Sequence, residues 1–295
     1  MRAVQLDRPG GPDALTVRDI PVPTRADGEI LIRTVASSIN PVDWKTRTMV
    51  GADRLPMTLG WDLAGVVLAS DHPGFGTGDR VIAMSAQFAT GRGTWTDIVS
   101  LPADLVAAAP ATVSLPEAAT LPLAGLTALQ VLNRLRLTPG QTLLVTGAAG
   151  AVGGLAVQLA AHEGIVVHGL VSRPEHLDAV RQLGADEVTD QTGALGRYDA
   201  VFDTAGVHVP HAVKDGGRYI TVGADAVTDE LAERTIDAGP NYVEQDGAGL
   251  TRLAALVDAG GLRLRIGTHY PIHQIHHAHR RAERGGMLGK VVLTF

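Results

Sequence analysis

Three glycines between two apolar segments have the spacing that a dinucleotide pyrophosphate requires. Gly147, Gly150 and Gly153 lie in the segment LLVTGAAGAVGGLAVQLA. The pyrophosphate needs close approach of the backbone and the free N–H groups of a helix N-terminus. In its strand–turn–helix context, this GxxGxxG motif predicts dinucleotide binding. The alternative is a tight turn between strand and helix that binds no ligand.

The residues after the next predicted strand indicate which dinucleotide is bound. The strand IVVHGLV runs into Ser172 and Arg173. An acidic residue there would bind the ribose hydroxyls and repel a 2′-phosphate, whereas a hydroxyl and a guanidinium suit a phosphate. The sequence therefore favours NADPH over NADH, although Glu175 argues mildly against it. The alternative is that Arg173 is a solvated loop residue.

Two regions of different character position these residues. Residues 1–110 contain short apolar runs separated by Pro- and Gly-rich turns, which is typical of an antiparallel, barrel-like domain. Beyond Pro110, apolar strands alternate with helices, which predicts an α/β class with a doubly wound parallel sheet. The predicted strands are 4–6, 29–36, 63–69, 80–83, 95–100, 142–146, 165–171, 187–189, 200–203, 219–222, 263–266 and 290–295. The predicted helices are 116–133 (with a break at Pro122), 151–161, 174–183, 250–259 and 273–284.

Composition excludes several function classes. The 295 residues carry 25 Lys and Arg against 31 Asp and Glu, a net charge of −6 without a basic block, which makes nucleic acid or an anionic membrane a poor partner. Cysteine is absent, so disulfides, a thiolate nucleophile and cysteine-ligated metals are excluded. The first residues, MRAVQLDRPG, hold no apolar run typical of a secretory signal, and a cytoplasmic location is expected. The uncharged stretch 141–161 is long enough to span a bilayer, but its glycines favour a strand, a turn and a helix.

Motifs along nearly the whole chain resemble one known family. They are GGPDALTVRDIPVP, GEILIRTVASSINPVDWK, GWDLAGV at 60–66, GDRV at 78–81, LPLAGLTA, GAAGAVG, LGAD at 183–186, FDTAG at 202–206 and the terminal GKVVL. In this order they resemble the zinc-free, quinone oxidoreductase-like branch of the medium-chain dehydrogenase/reductase superfamily. The resemblance is specific to the superfamily and not to a substrate.

The resemblance implies a split architecture. Residues 1–112 and 261–295 would form a GroES-like β-barrel domain that carries the substrate site, and residues 113–260 a Rossmann dinucleotide-binding domain. Family members are commonly homodimers, so a homodimer is expected. The zinc enzymes of the superfamily place Cys and His where this chain has Asn40 and Trp61, and without cysteine neither zinc site can be built in its usual form.

Without a Lewis acid, the acceptor must already be electrophilic. The hypothesis is hydride transfer from NADPH to a quinone or an α,β-unsaturated carbonyl, in which the negative charge moves onto oxygen. Asn40 would orient the nicotinamide or donate to the oxyanion, Asp43 would hold this segment, and Lys45 would stabilise the oxyanion. The alternatives are that Asn40 and Asp43 cap a short helix and that Lys45 is merely exposed. The proton donor is not evident, and solvent is one source.

Further site residues follow from the matching motifs. Trp44 and Trp61 would line an apolar pocket, with core packing as the alternative, and Asp62 and Asp79 are expected to be structural turn residues. The remaining residues assigned to the cofactor are Pro41, Thr127, Ala151, Val152, His176, Thr204, Ala205, Val222 and Gly223. Among these, His176 stands where relatives often carry a phosphate-binding lysine. Gln191 stands where they often carry tyrosine.

Histidines crowd the C-terminal segment. On a helix, His273, His276 and His277 would share one face, a spacing that can bind a metal. The apolar residues between them and two following arginines favour a solvated polar face instead, a reading that also covers His269 and His279. No metal is predicted.

Two other functions remain open from the sequence. The first is reduction of enoyl thioesters by an enzyme of the same superfamily. The second is a non-catalytic NADPH-binding protein that acts as a redox sensor.

Overall fold

The Pro- and Gly-rich first part of the chain forms short strands joined by tight turns. The computed structural model describes residues 1–223 and 229–295. The strands of this part are β1 (Arg2–Leu6), β2 (Leu15–Asp19), β3 (Glu29–Ser38), β4 (Met57–Thr58), β5 (Asp62–Ser70), β6 (Arg80–Met84), β7 (Ile98–Pro102) and β8 (Val106–Ala108). Its helices are α1 (Pro41–Met49), α2 (Gln87–Thr90), α3 (Leu115–Ala118) and α4 (Pro122–Leu135). The predicted helix break at Pro122 is confirmed.

Strands and helices then alternate as predicted from β9 to β11, whereas only 3₁₀ turns separate β11, β12 and β13, and α7 and β14 were not predicted. The elements are β9 (Thr142–Thr146), α5 (Ala151–His162), β10 (Val166–Leu170), α6 (Leu177–Arg181), β11 (Glu187–Thr189), β12 (Tyr198–Asp203), β13 (Val213–Thr221), α7 (Asp229–Glu233) and β14 (Asp237–Pro240). The last part holds α8 (Gly247–Asp258), β15 (Ile266–Pro271), α9 (Ile275–Glu283) and β16 (Lys290–Thr294).

Three segments of the chain form a first unit, and the rest forms a second. The first unit is Met1–Leu123 with Glu244–Ala259 and Leu264–Phe295, and the second is Ala124–Val243 with Gly260–Arg263. Residues 113–123 and 244–259 therefore group with the first unit, whereas the sequence interpretation assigns them to the dinucleotide-binding domain. The predicted domain bounds stay a prediction.

The first unit is built on two sheets in which the strand pairs are antiparallel, except that β15 and β16 pair in parallel. Strand order is β2-β1-β4 in one sheet and β15-β16-β3-β5-β6-β8 in the other, where β7 also pairs with β3. Alternate residues of β3, Ile30 and Ile32, point into a closed core with Leu63 and Val81. Burial of each such side chain contributes about 1.5–3 kcal/mol. A second core surrounds the fully buried Trp95 and brings α9 and β16 against β1.

The second unit contains a parallel sheet. Its order is β11-β10-β9-β12-β13-β14, and every neighbouring pair is parallel. The chain leaves β9 towards β10 on one side and returns to β12 on the other, so the strand order reverses between β9 and β12. This doubly wound arrangement confirms the predicted α/β class.

Some predicted elements differ from the structure. The strand predicted at 263–266 is wrong: Arg263 donates its backbone N–H to Gln158 Oε1 (2.7 Å), and the ladder begins only where Ile266 pairs with Lys290. The strand predicted at 95–100 begins later, at Ile98. The helix predicted at 174–183 is a 3₁₀ turn, Pro174–His176, followed by the short α6.

No helix in residues 1–223 or 229–295 has both the length and the apolar character needed to cross a membrane. The stretch 141–161 that raised this question forms β9, a turn and most of α5.

Candidate functional site

Helix α1 begins at the segment that the sequence singles out. Asn40 is its N-cap with an extended backbone, and Pro41 occupies the first turn, where its missing N–H and fixed φ are favourable. The Asp43 carboxylate accepts a hydrogen bond from the backbone N–H of Asn40 through Oδ2 (2.7 Å). The expected helix cap is therefore present, and Asp43 holds the segment.

The side chain of Asn40 turns away from its own helix into a buried polar network. Its Oδ1 accepts a hydrogen bond from Lys290 Nζ (2.7 Å), and its Nδ2 donates to Asp62 Oδ2 (2.8 Å). Lys290 Nζ also lies 2.6 Å from Asp62 Oδ2. The three side chains are nearly inaccessible to solvent, with 2%, 4% and 0% exposed for Asn40, Lys290 and Asp62. The amide orientation is fixed because an ammonium only donates and a carboxylate only accepts.

Strand ends bring this network together. Asp62 is the first residue of β5 and Lys290 the first residue of β16. Asp62 also accepts hydrogen bonds from the Ser38 hydroxyl and, through Oδ1, from the backbone N–H of Leu123 (2.7 Å). The expectation that Asp62 is a turn residue is therefore wrong. For Asp79 it is confirmed, because its carboxylate accepts from the Gly76 N–H (2.7 Å).

Asp43 lies beside this network in a fully buried position. Burial raises the pKa of the Asp43 carboxyl well above its ordinary value, and the charge of Asp62 adds to this effect. The hydrogen bonds from Asn40 and the charge of Lys290 lower the pKa but do not outweigh burial. Its second oxygen, Oδ1, has no hydrogen-bond partner within the described residues. A neutral carboxyl fits this position.

The network does not fit a zinc ion, which the zinc enzymes named in the sequence resemblance bind at the corresponding position. The Asn40 oxygen already accepts from the Lys290 ammonium, and the Trp61 indole is a donor only. A positive charge 2.7 Å from the only oxygen that Asn40 offers repels a divalent cation. No group of three or more His, Cys, Asp or Glu side chains in the described parts of the chain is placed to hold a metal.

Three other predicted residues of the first unit lie outside the network. Lys45 is exposed on α1. Trp44 is half-buried against the core that contains Trp95. Trp61 is 7% exposed and packs edge-on against Phe88, with ring centroids 6.4 Å apart. The structure brings Asn40 and Asp43 together with Asp62 and Lys290, and it does not bring Lys45 to them.

In the second unit, the predicted glycines form a tight turn. Gly147 has a φ of +61°, a conformation that favours glycine, and a Cβ there would lie 2.9 Å from the Ala205 Cβ. Gly150 is the N-cap of α5. A Cβ on Gly153 would lie 2.3 Å from the Gly147 carbonyl oxygen, so the helix packs against the turn as only glycine permits. Ala151 and Val152, half-buried, form the first turn of α5.

The other predicted cofactor residues of this unit follow strands that end in register. Thr146 pairs with Leu170 of β10 and with Asp203 of β12, and Asp203 pairs with Thr221 of β13. The residues that follow these ends therefore share the carboxyl edge of the sheet, where doubly wound sheets bind their ligands. They are Gly147, Ser172, Arg173, Thr204, Ala205, Val222 and Gly223. Thr127 is buried on α4 instead.

A buried carboxylate holds the turn after β12. Asp203 accepts hydrogen bonds from Thr146 Oγ1 (2.5 Å), the Tyr219 hydroxyl (2.8 Å) and the backbone N–H of His208 (3.0 Å). These bonds lower the pKa of Asp203 against the effect of burial, which is the largest single influence on it. Thr204 donates from Oγ1 to the Thr146 carbonyl (2.7 Å), which fixes it beside Gly147. Asp203 thus positions Thr204 and Ala205, a role that its place in FDTAG did not predict.

The residues predicted to read the 2′-phosphate differ in exposure. Ser172 and Arg173 are exposed directly after β10, whereas His176 is 8% exposed in the 3₁₀ turn that precedes α6. Gln191 is exposed near the end of β11. The exposed positions therefore fit a phosphate better than His176 does.

The C-terminal histidines do not all lie on a solvated face. His269, His273 and His277 are exposed as expected. For His279 the expectation is wrong, because it is fully buried. Its Nδ1 lies 2.9 Å from Arg47 Nη1, and burial, aided by the Arg47 charge, lowers the pKa of His279 to about 3. His276 lies with Nε2 2.8 Å from the Leu15 carbonyl oxygen, so it too has a structural partner.

Two family models and many known proteins are similar to this chain. Residues 26–111 match a model described as an alcohol dehydrogenase GroES-like domain, and residues 183–293 match one described as a zinc-binding dehydrogenase. The quinone-oxidoreductase QR1 of Triphysaria versicolor is 31% identical over 99% of this chain and 98% of its own length. The NADPH-dependent alkenal/one oxidoreductase of Arabidopsis thaliana is 30% identical over 96% of this chain and 77% of its own. A solved quinone oxidoreductase of Coxiella burnetii superposes with a TM-score of 0.91 at 29% identity, covering 100% and 99% of the two chains.

Proposed function

The chain belongs to the medium-chain dehydrogenase/reductase superfamily and is an oxidoreductase, and we propose that it transfers hydride from NADPH to a quinone or an α,β-unsaturated carbonyl without zinc. The similar proteins named quinone and alkenal/one oxidoreductases support this acceptor class. The proposal that the reaction needs no zinc is supported by the hydrogen bond from the Lys290 ammonium to Asn40 Oδ1.

The amide–ammonium network suits an acceptor that needs no Lewis acid. In a quinone or enone, hydride addition moves negative charge onto oxygen, and preorganised donors stabilise that charge. Nδ2 of Asn40 carries two hydrogens, and one of them is donated to Asp62. The contacts to Asp62 and Lys290 do not use the second Nδ2–H. This N–H would donate to the oxyanion or to the nicotinamide carboxamide. The positive charge of Lys290 behind the amide strengthens it as a donor.

The second unit fits the cofactor. NADPH supplies the hydride when it is bound. The turn of Gly147, Gly150 and Gly153 would hold the pyrophosphate, because it leads into the N-terminus of α5, whose first backbone N–H groups suit an anion. Ser172 and Arg173 would bind the 2′-phosphate, as a hydroxyl and a guanidinium both donate to phosphate oxygens.

The experiment measures nicotinamide oxidation by chelator-treated protein. NADPH and, separately, NADH are mixed with a panel of quinones, enones and enoyl thioesters, and absorbance loss is followed. We expect turnover that prefers NADPH and survives the chelator, with the best acceptor distinguishing quinone or enone reduction from thioester reduction. Loss of turnover on chelation that added zinc restores would contradict the zinc-free proposal. Binding of NADPH without turnover on any acceptor would instead favour a redox sensor.

A matched pair of variants tests the phosphate assignment. Arg173→Gln is expected to weaken NADPH binding about tenfold and to leave NADH binding unchanged, since a charge-assisted hydrogen bond to phosphate is lost. Arg181→Gln, on the exposed face of α6, is the control and should change neither. Equal losses for both dinucleotides in Arg173→Gln would show that Arg173 does not read the phosphate.

The homodimer and the cytoplasmic location rest on the family resemblance and on composition, and both stay predictions.

A further inference from the structure

An open apolar cavity of about 310 Å³ lies beside helix α1 in the first unit. Val42, Met49, Val50 and Phe88 form its apolar wall, and Lys45 and Arg54 supply its charge. Asn40, Asp62 and Lys290 do not line it, so the cavity is separate from the buried network.

The apolar wall is unusually open to solvent. Met49 is 80% exposed and Phe88 is 41% exposed. Isolated exposed apolar side chains are ordinary, but two large ones on a single cavity are typical of a binding surface. An apolar ligand segment that covered them would remove this area from water.

The two cations of the cavity have no carboxylate partner among residues 1–223 and 229–295. Arg54 lies with its guanidinium carbon 5.6 Å from the Phe88 ring centroid and donates from Nη1 to the Phe88 carbonyl (3.4 Å). These contacts hold the guanidinium at the apolar wall while leaving its charge unneutralised. With the adjacent carboxylate of Asp53 counted, the charges of Lys45, Asp53 and Arg54 sum to about +1.

We propose that this cavity binds the anionic end of the electron acceptor, and that Lys45 and Arg54 select acceptors that carry a carboxylate, sulfonate or phosphate. The inference rests on the proposed function and names its substrate class: an amphipathic quinone or enone whose apolar part packs on Met49 and Phe88. Lys45 is five residues beyond Asn40, about 7.5 Å along the axis of α1. A short apolar spacer therefore joins the reacting end to the anion.

This position gives Lys45 a different partner from the oxyanion that the sequence hypothesis assigns to it. A lysine that stabilises the oxyanion affects kcat for every acceptor. A lysine that binds a distant anion affects KM for charged acceptors alone.

The test compares an alkyl enone that ends in a carboxylate with the methyl ester of the same compound. Initial rates of NADPH oxidation give kcat and KM for wild type, Lys45→Gln, Arg54→Gln and the double variant. We expect the ratio of the two KM values, carboxylate over ester, to rise about three- to fivefold in each single variant and about tenfold in the double variant. Raising salt from about 0.05 to 0.5 M should raise the same ratio in wild type and much less in the double variant.

Arg8→Gln is the matched control, because Arg8 is also an exposed arginine of the first unit and does not line the cavity. An equal rise of the ratio in Arg8→Gln would overturn the inference, since the effect would then be general charge. A drop in kcat on both acceptors with an unchanged KM ratio would also overturn it and would return Lys45 to the oxyanion.

Two further arms separate the possible sources and failures. Crotonyl-coenzyme A is compared with the crotonyl thioester of N-acetylcysteamine, which lacks the phosphates. If the ratio of their KM values rises in the variants as it does for the enone pair, the cavity also binds a carrier phosphate. If that ratio does not change, the cavity binds only the carboxylate of a small acid. If wild type reduces neither enone, the proposed function fails for that class. Calorimetric titration with the carboxylate enone then tests the inference by itself. Binding by wild type that is lost in the double variant supports the inference, and a lack of binding by wild type overturns it.

Discussion

Replacing Lys290 with methionine isolates the energetic contribution of one buried ammonium. Met keeps the aliphatic stem that packs at the start of β16 and removes only the charged group. In Lys290→Met, the Asp62 carboxylate keeps its contacts to Ser38, Asn40 and the Leu123 N–H but loses its cation. The Asn40 oxygen loses its donor at the same time.

The distances and burial indicate a large effect. At 2.6 Å and an effective dielectric constant of about 20, the attraction between Lys290 and Asp62 is about 6 kcal/mol. Removing Lys290 also removes the cost of burying it, so the expected loss of unfolding free energy is about 3–5 kcal/mol. Asp62→Asn combined with Lys290→Met removes both charges of this pair and should cost at least 2 kcal/mol less than the sum of the two single changes.

Urea unfolding followed by tryptophan fluorescence measures this loss. The chain has three tryptophans, Trp44, Trp61 and Trp95, and all lie in the first unit with the ion pair. The signal therefore reports on the unit that the substitution changes. Arg2→Met is the control: it breaks the exposed pair between Arg2 and Asp97, and it should cost at most about 1 kcal/mol.

Two results would refute this reasoning. A loss in Lys290→Met no larger than that in Arg2→Met would mean that the buried pair acts like a surface one. Additive single effects in the double variant would mean that Lys290 and Asp62 stabilise the unit independently.

Three more predictions follow from individual positions. Gly153→Ala should weaken NADPH binding more than tenfold, measured by calorimetry, because its Cβ would lie 2.3 Å from the Gly147 carbonyl oxygen, whereas Gly193→Ala meets nothing within 4 Å and should bind as wild type. The raised pKa of Asp43 means that the folded state holds a proton that the unfolded state loses near pH 4, so stability should fall by up to about 1.4 kcal/mol per pH unit between pH 4 and that raised pKa. Urea unfolding should show no such fall in Asp43→Asn, and an identical pH slope in the two proteins would contradict this. The lowered pKa of His279, about 3, predicts the opposite dependence: stability is full above about pH 6.5 and falls as pH drops towards 3. Urea unfolding of His279→Asn should lack this fall, and an equal fall in both proteins would contradict it.

Local pattern was sufficient for most of the parallel sheet. Strand β9 and strand β11 have the bounds that apolar runs and glycine turns predict. Four of the five residues of β9 are buried, as its apolar run predicts, whereas β11 is an edge strand with exposed and half-buried residues that the flanking turns delimit. The strand near residue 266 was misplaced because its bounds follow from pairing with β16, and the backbone N–H of Arg263 bonds instead to Gln158, 105 residues away.

The candidate site was predictable only for those residues that are close together in one segment of the sequence. Asn40 and Asp43 stand together in SSINPVDWK, and a cap of α1 was foreseeable from Asn-Pro and an acid three residues on. The role of Lys290 was not predictable, because a lysine at the start of an apolar strand is ordinarily exposed and its partners lie more than 220 residues earlier in the chain. A lone aspartate that opens the buried strand β5 was the one available signal for Asp62.

The position of the last strand also determines when the first unit can be completed during synthesis. Strand β16 lies between β15 and β3, so the sheet that begins with β3 remains open until the final residues have been made. At about 5–20 residues per second, the ribosome needs roughly 10–30 s to pass from residue 123 to the end of the chain. During that interval Asp62 has no ammonium partner and residues 36–38 of β3 lack the strand that pairs with them, whereas the last strand of the parallel sheet, β14, ends at Pro240, well before β16 is made. The nascent first unit is therefore the part of this chain most exposed to chaperones and to mispairing.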